Sequence, residues 1–302
     1  MGLRLAVATE DFGQPLRQAI QLAAQNPVQG LRLNARTEVR AEEFGDTALR
    51  QLRHYVEEHQ LRVAGLMYST RHSLCDEEKL DQRLDGIRSA MSLVRRLGTS
   101  ELLIRVGRVP DPAVTESKNT APAPSNADVD SLLNPFSFAS SSPLLKSKER
   151  SEAEQFSLLC DVLNELAGHA NRHGATLQLI VSSYDVSRLS LLLSKVTAGP
   201  VALVFDPATC LMAGQSASRI YRDLYRSVGY FRIRDAQKDI DGGGIETAFG
   251  DGAVDWMDVL PVIVESETTS WLCVERTGGD ERASDVNRAI RQMKSLLPAT
   301  GP

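Results

Sequence analysis

The segment LRLAVATEDFGQ, residues 3–14, decides the fold. Its first half is a short apolar run suited to a buried strand. Its second half is acidic and leads into the first helical pattern. An open, doubly wound sheet that binds a dinucleotide needs a glycine-rich turn here, so that the backbone can approach a pyrophosphate. ATEDFGQ carries a single glycine and is no such fingerprint.

Similar apolar runs recur along the 302 residues. GLRLNAR (30–36), RVAGLMYS (62–69), ELLIRVG (101–107), TLQLIVSS (176–183), VALVFD (201–206), GYFRIRD (229–235) and SWLCVER (270–276) all read as strands. Helical stripes fill the intervals. Leu16, Ile20 and Ala23 form one, Leu49, Leu52 and Val56 another. Leu84, Ile87, Met91 and Val94 mark a third, and Val286, Ile290, Met293 and Leu297 the last. Such spacing puts the apolar groups on one helical face. Further helices are expected near 151–172, 185–196, 216–227 and 255–266. Strict βα alternation implies parallel strands with right-handed crossovers. With the first strand counted, there are eight repeats, which close into a (β/α)8 barrel of ordinary size. The open sheet is the alternative. The chain is read as one domain, 1–302, interrupted after the fourth strand by a Pro/Ser-rich insertion, 110–148. That composition suits a loop with little to bury, or a lid over the barrel mouth.

Bulk composition narrows the partners. A formal net charge of −5 repels a polyanion, so nucleic acid is not expected. No run approaches the roughly 18 apolar residues of a membrane span, and the start is charged too early for a signal peptide. A cytoplasmic protein is therefore expected. The four cysteines are scattered without CxxC spacing, so neither a zinc site nor a disulfide framework is implied. The sequence does not speak to oligomeric state.

In a parallel barrel, chemistry gathers at the carboxyl ends of the strands. There the sequence places Arg36 at the end of strand two, His72 beyond strand three, Arg105 on strand four and Asp206 at the end of strand six. Arg232 and Arg234 follow on strand seven, and Glu275 and Arg276 close strand eight. Side chains alternate across a strand. If Phe231, Ile233, Leu272 and Val274 face the helices, then Arg232, Arg234 and Glu275 face the barrel axis, and Asp206 joins them. Asp206 is also read as a simple turn cap, since Asp-Pro favours turns.

These strand ends resemble the xylose isomerase-like TIM barrel superfamily, the sugar phosphate isomerase/epimerase and AP endonuclease family 2 proteins. FDPATCLMAG resembles the sixth-strand motif, FRIRDA…FGDGAVDW the seventh and WLCVER the eighth. The resemblance implies a divalent metal (Mn2+, Mg2+ or Zn2+) held by Glu, Asp, His and Glu from strands five to eight, with two Glu as acid–base pair. Asp206 and Glu275 match two of those positions, as metal ligands and as candidate catalytic groups. The strand-five Glu falls on Ile180, the strand-seven His on Arg232, the family Lys on Arg234 and the strand-six His on Thr209. The metal set is incomplete, and no cofactor follows from it. Arginine has no lone pair to give a metal and stays charged. A guanidinium at 232 lying between Asp206 and Glu275 would neutralise both.

Two readings follow. In one, the protein is a sugar phosphate isomerase/epimerase that moves a proton on a small sugar or sugar phosphate. In the other, it is a non-catalytic barrel, a pseudoenzyme that binds or scaffolds. Either way a small anionic or polyhydroxy ligand is the expected partner, with Arg36, Arg105, Arg232, Arg234, Arg276 and His72 as candidate binding residues. The bland alternative pairs each arginine with an internal acid. An abasic-site endonuclease would need a cluster of metals, and the chain's five histidines do not supply its ligands.

Overall fold

The computed structural model describes residues 3–115, 150–239 and 243–297. Along the chain the strands are β1 (Arg4–Ala8), β2 (Gly30–Asn34), β3 (Arg62–Tyr68), β4 (Glu101–Gly107), β5 (Thr176–Val181), β6 (Val201–Phe205), β7 (Val228–Ile233), β8 (Asp235–Lys238), β9 (Gly244–Thr247) and β10 (Trp271–Val274). All but β8 and β9 pair in parallel and close into a barrel in the order β1–β10–β7–β6–β5–β4–β3–β2. This is the (β/α)8 architecture that the alternation implies. The helices are α1 (Leu16–Ala24), α2 (Asp46–Glu58), α3 (Leu80–Val94), α4 (Glu152–His173), α5 (Val186–Lys195), α6 (Pro207–Met212), α7 (Ala217–Leu224), α8 (Trp256–Glu265) and α9 (Arg282–Leu296). Among the described residues no helix is long and apolar enough to cross a membrane.

Strand alternation divides the apolar residues into two cores. Leu31, Leu33, Phe205, Phe231, Ile233, Leu272 and Val274 pack outward against the helices. Ala6, Ala8, Ala64, Leu103, Ile180, Val204, Tyr230, Trp271 and Cys273 fill the barrel. At the amino-terminal end Trp271 lies across the axis, and the Arg4 guanidinium stacks 4.4 Å from its ring. Gly30 makes that possible, because a Cβ there would stand 2.7 Å from the indole. The interior above it is small on one side: β1 contributes only alanines, Ala6 and Ala8. That gap lets a long polar side chain on β2 reach β10 across β1.

Several boundaries differ from the sequence reading. The second, fifth and sixth strands stop at Asn34, Val181 and Phe205, so the polar residues beyond them sit in turns. Asp206 leaves the strand to cap α6, a helix too short for periodicity to reveal. The stretch after Arg234 forms an antiparallel hairpin, β8–β9, beyond the strand read at 229–235. Gly244 opens β9, while residue 242 lies outside the described residues. Of the insertion, residues 116–148 also lie outside them. Residues 110–115 run from β4 toward α4, where the Val114 carbonyl accepts the Ala153 N–H at 3.0 Å.

Candidate functional site

The end of β6 is built first. Tyr184, fully buried, donates its hydroxyl to the Val204 carbonyl and accepts the Asp206 N–H, both at 2.8 Å. This fixes where the strand ends and which way Asp206 points. Asp206 Oδ1 accepts the Thr209 N–H at 3.3 Å as the N-cap of α6, with Pro207 at the first helical position. Such a cap satisfies an orphan donor of the helix. The second oxygen, Oδ2, faces the arginines. Both sequence readings of Asp206, cap and inward-facing carboxylate, thus describe one side chain using its two oxygens separately.

From Asp206 a chain of alternating charges crosses the mouth of the barrel. Arg234 donates to Asp206 Oδ2 through Nε at 2.9 Å and through Nη2, and its Nη1 donates to Glu246 Oε2 at 2.8 Å. Arg232 lies between the two motif carboxylates. Its Nε donates to Glu275 Oε2 at 2.7 Å, and its Nη1 stands 3.6 Å from Asp206 Oδ2. On the far side, Arg32 Nε approaches Glu275 Oε1 at 3.0 Å as an ion pair lacking hydrogen-bond alignment. Arg32 Nη2 donates to Glu10 at 2.8 Å. In the other direction Glu246 accepts from Arg276 Nη1 at 3.3 Å and from the Thr277 N–H at 2.7 Å. Arg276 Nε donates in turn to Asp285 Oδ2 at 3.0 Å.

The centre of this network is buried. Arg32, Asp206, Glu275 and Arg232 are 0%, 2%, 4% and 7% exposed. Burial pushes the Glu275 carboxyl up, but the guanidiniums of Arg232, Arg32 and Arg234 outweigh it and hold it below the ordinary value. Burial lowers Arg32 as well, and Glu275 with Glu10 more than restores it. Asp11 is the odd member. Burial, reinforced by the charges of Glu275 and Glu10, pushes its carboxyl up to about 7 against the pull of Arg32. Its Oδ2 accepts the Arg276 N–H at 2.8 Å.

Above the arginines opens a cavity of about 610 Å3, a size suited to a small ligand. Its wall carries Arg105, Arg232 and Arg234, the hydroxyl residues Ser69, Thr70, Ser182, Thr209 and Thr277, and an apolar part that includes Met67, Ile180 and Met212. No carboxylate residue is part of that wall among the described residues. Asp206 and Glu275 lie behind it, covered by their own arginines.

The candidate residues therefore separate. Arg232, Arg234, Asp206, Glu275 and Arg276 meet in one network. Arg105 reaches the cavity without an ion-pair or hydrogen-bond partner among the described residues. Arg36 and His72 do not line the cavity. Arg36 is exposed and donates to the Ser69 carbonyl at 2.9 Å. His72 is exposed and its Nδ1 lies 2.8 Å from Asp76. The question of internal acids against an anion pocket thus has a different answer at each arginine. Arg32, Glu246, Asp11 and Glu10 were not singled out by sequence. Arg32 was legible: with Leu31 and Leu33 facing the helices, alternation turns Arg32 inward by the argument applied to Arg232. Glu10 and Asp11 stand directly after β1, at a strand end. Glu246 gave no local signal, because the hairpin brings it back over the mouth.

Asp235 explains the glycine-rich motif after β7. It accepts N–H bonds from Ala236, Gly250 and Val254 at 2.9, 2.9 and 3.2 Å, and from the Trp256 indole at 3.3 Å. A Cβ at Gly252 would lie 2.0 Å from its Oδ1. FGDGAVDW thus wraps one buried carboxylate and sets the start of α8.

A closed parallel barrel with its polar network at the carboxyl ends of the strands defines a (β/α)8 protein. The family model for xylose isomerase-like TIM barrels matches residues 20–296, and the chain belongs to that family. No curated protein matches the sequence. Solved structures share the fold at low identity. A xylose isomerase domain protein from Planctomyces limnophilus is 17% identical over 98% of both chains, with a TM-score of 0.74. A 3-keto-D-glucoside 4-epimerase from E. coli is 11% identical over 97% of this chain and 99% of its own, with a TM-score of 0.69. A xylose isomerase-like TIM barrel protein from Mycobacterium smegmatis, solved in complex with magnesium, is 13% identical over 99% and 98%, with a TM-score of 0.66.

Proposed function

We propose that this barrel binds a small anionic, polyhydroxy ligand without a divalent metal, and that it is a binding protein rather than an isomerase. The observation that carries the reading is the cavity wall, which holds three guanidiniums and no carboxylate among the described residues. Isomerisation by proton transfer needs a base within hydrogen-bond reach of the substrate carbon's proton. Asp206 and Glu275 do not line the cavity, and Asp206 Oδ2 and Glu275 Oε2 accept from Arg234 and Arg232. In this reading they hold the arginines in place.

The donor set does not fit a divalent ion. Among the described residues no group of three or more His, Cys, Asp or Glu side chains is placed to hold a metal. Ile180 offers no ligand atom, and Arg232 brings a positive charge to the space between the acids. A dication there would face Arg232 and Arg234 within the same shell of carboxylates, in a medium where like charges repel strongly.

Calorimetry on chelator-treated protein tests the reading, with sugar phosphates, sugar carboxylates and neutral sugars as titrants. Binding of anionic sugars that is unchanged by EDTA is the expected result. Binding or turnover that appears only with Mn2+ or Mg2+, and is lost in Glu275→Gln, would return the protein to the epimerases that share its fold.

A further inference from the structure

We propose that the anionic end of the ligand is held by Arg105 with Ser69 and Ser182, on the β3–β4–β5 side of the mouth, and that this end is a phosphomonoester. The inference rests on the binding reading above and adds where the charge sits and what it is.

The three guanidiniums of the cavity wall are not equivalent. Every nitrogen of Arg234 is engaged, by Asp206, Glu246 and Thr209. Arg232 spends Nε on Glu275 and Nη1 on Asp206. A ligand anion that took a two-nitrogen fork from either would have to draw it from a buried carboxylate, leaving that charge poorly compensated; Arg232 has only Nη2 left to give. Arg105 has no such partner among the described residues and is exposed to the cavity. Its position is reinforced by the backbone. β4 and β5 shift register between Arg105 and Gly107, so that Val106 is an extra residue. A bulge of this kind re-aims the neighbouring side chain. Gly107 has φ +86°, and a Cβ there would also come within 3.2 Å of Ser73, so the bulge requires glycine.

The neighbouring strands supply hydroxyls. Ser69 follows β3 and Ser182 follows β5, one on either side of β4, and both line the cavity. Ser69 Oγ accepts from Asn34 Nδ2 at 3.4 Å, which leaves its own proton to donate. Ser182 has no side-chain partner among the described residues. Thr70 is not counted, because its hydroxyl donates to the His72 carbonyl. A planar carboxylate presents both of its oxygens to the guanidinium fork and has no third oxygen for the flanking hydroxyls. A phosphomonoester has three terminal oxygens and takes the fork together with hydroxyls from both sides. The apolar residues Met67, Ile180 and Met212 then face the carbon skeleton.

The test is calorimetry on the full chain in EDTA with glucose 6-phosphate, glucuronate and glucose, and with inorganic phosphate as competitor. The phosphomonoester is expected to bind at least tenfold more tightly than glucuronate, with inorganic phosphate competing. Arg105→Gln, at an exposed position, is expected to weaken it at least tenfold. Arg105→Lys should recover part of that loss, and Ser182→Ala should cost about threefold. Equal binding of glucose 6-phosphate to the wild type and Arg105→Gln would place the anion elsewhere while leaving the binding reading intact. Equal binding of glucuronate and the phosphomonoester would overturn the assignment of the anion. Binding of none of these probes to the wild type would overturn both this assignment and the reading beneath it.

Discussion

Arg232→Met removes the guanidinium between Glu275 and Asp206 while keeping a side chain of similar length. Isolating a buried charge completely costs about 3–5 kcal/mol. Here each acid keeps one cation, Glu275 the buried Arg32 and Asp206 the doubly bonded Arg234. The low end, about 3 kcal/mol, is therefore expected. A chain of 302 residues unfolds with an entropy of about 0.6 kcal/mol/K, so this loss lowers Tm by about 5 °C. Glu275→Gln should cost a similar amount, because it strips Arg232 and Arg32 together of their shared acid. In the double variant Arg32 still has Glu10 and Asp206 still has Arg234. The double should therefore be less destabilised than the two singles added, by a coupling of about 2 kcal/mol. Urea denaturation of the four proteins in EDTA measures the cycle. Additive losses, with no coupling beyond about 0.5 kcal/mol, would refute the claim that Arg232 neutralises Glu275.

Other outcomes follow from single features. Asp11 binds a proton in the folded chain up to about 7, against 3.8 in the unfolded chain, so stability falls as pH rises between those values. The ceiling is about 4 kcal/mol, and Asp11→Asn should flatten the difference between urea midpoints at pH 5 and pH 8. Glu275 acts in the opposite sense: held below its ordinary 4.5, it stabilises above that pH and the contribution is lost as pH falls below it, a loss that Glu275→Gln should abolish in acid titrations followed by circular dichroism. Gly252→Ala drives a methyl against Asp235 and should cost about 2–3 kcal/mol, read from the thermal midpoint. Ile180→Glu combined with Arg232→His restores two donors beside Asp206 and Glu275, and calorimetry should detect Mn2+ or Zn2+ binding in that variant but not in the parent.

The barrel was legible because two periods of hydrophobicity alternate along the chain. Residues such as Phe231 and Ile233 against Arg232 and Arg234 also showed which face turns inward. The same rule reaches Arg32 once β2 is seen to be Gly30–Asn34 rather than 30–36, since attention then moves from the strand-end Arg36 to the mid-strand arginine. What no local pattern carries is long-range return. Glu246 meets Arg234, Arg276 and Thr277 only because a hairpin folds back over the mouth. Asp11 owes its raised carboxyl first to burial, with Glu275 just after β10 adding to it and Arg32 on β2 opposing it, and none of these is written in the residues around it. The separation of Arg105 from Arg232 and Arg234 is likewise a matter of which acids lie behind which strand ends.

Retained motif residues are weak evidence of retained chemistry, and the physical reason is visible at Glu275. A carboxylate at the centre of a barrel needs a counter-charge whatever else it does. Once guanidiniums provide it from β2 and β7, the acid cannot be lost without leaving Arg32, which is fully buried, short of its partner. The same holds for Asp206, which also caps α6 and anchors Arg234. Both acids are then required by electrostatics and by the local fold, independently of catalysis. The positions that report on chemistry are the ones with no such obligation. Ile180 belongs to the apolar filling of the barrel, and Arg232 brings a charge that a metal would have to displace. In this chain, then, what stands at 180 and 232 says more about a metal site than the presence of an aspartate and a glutamate on the sixth and eighth barrel strands.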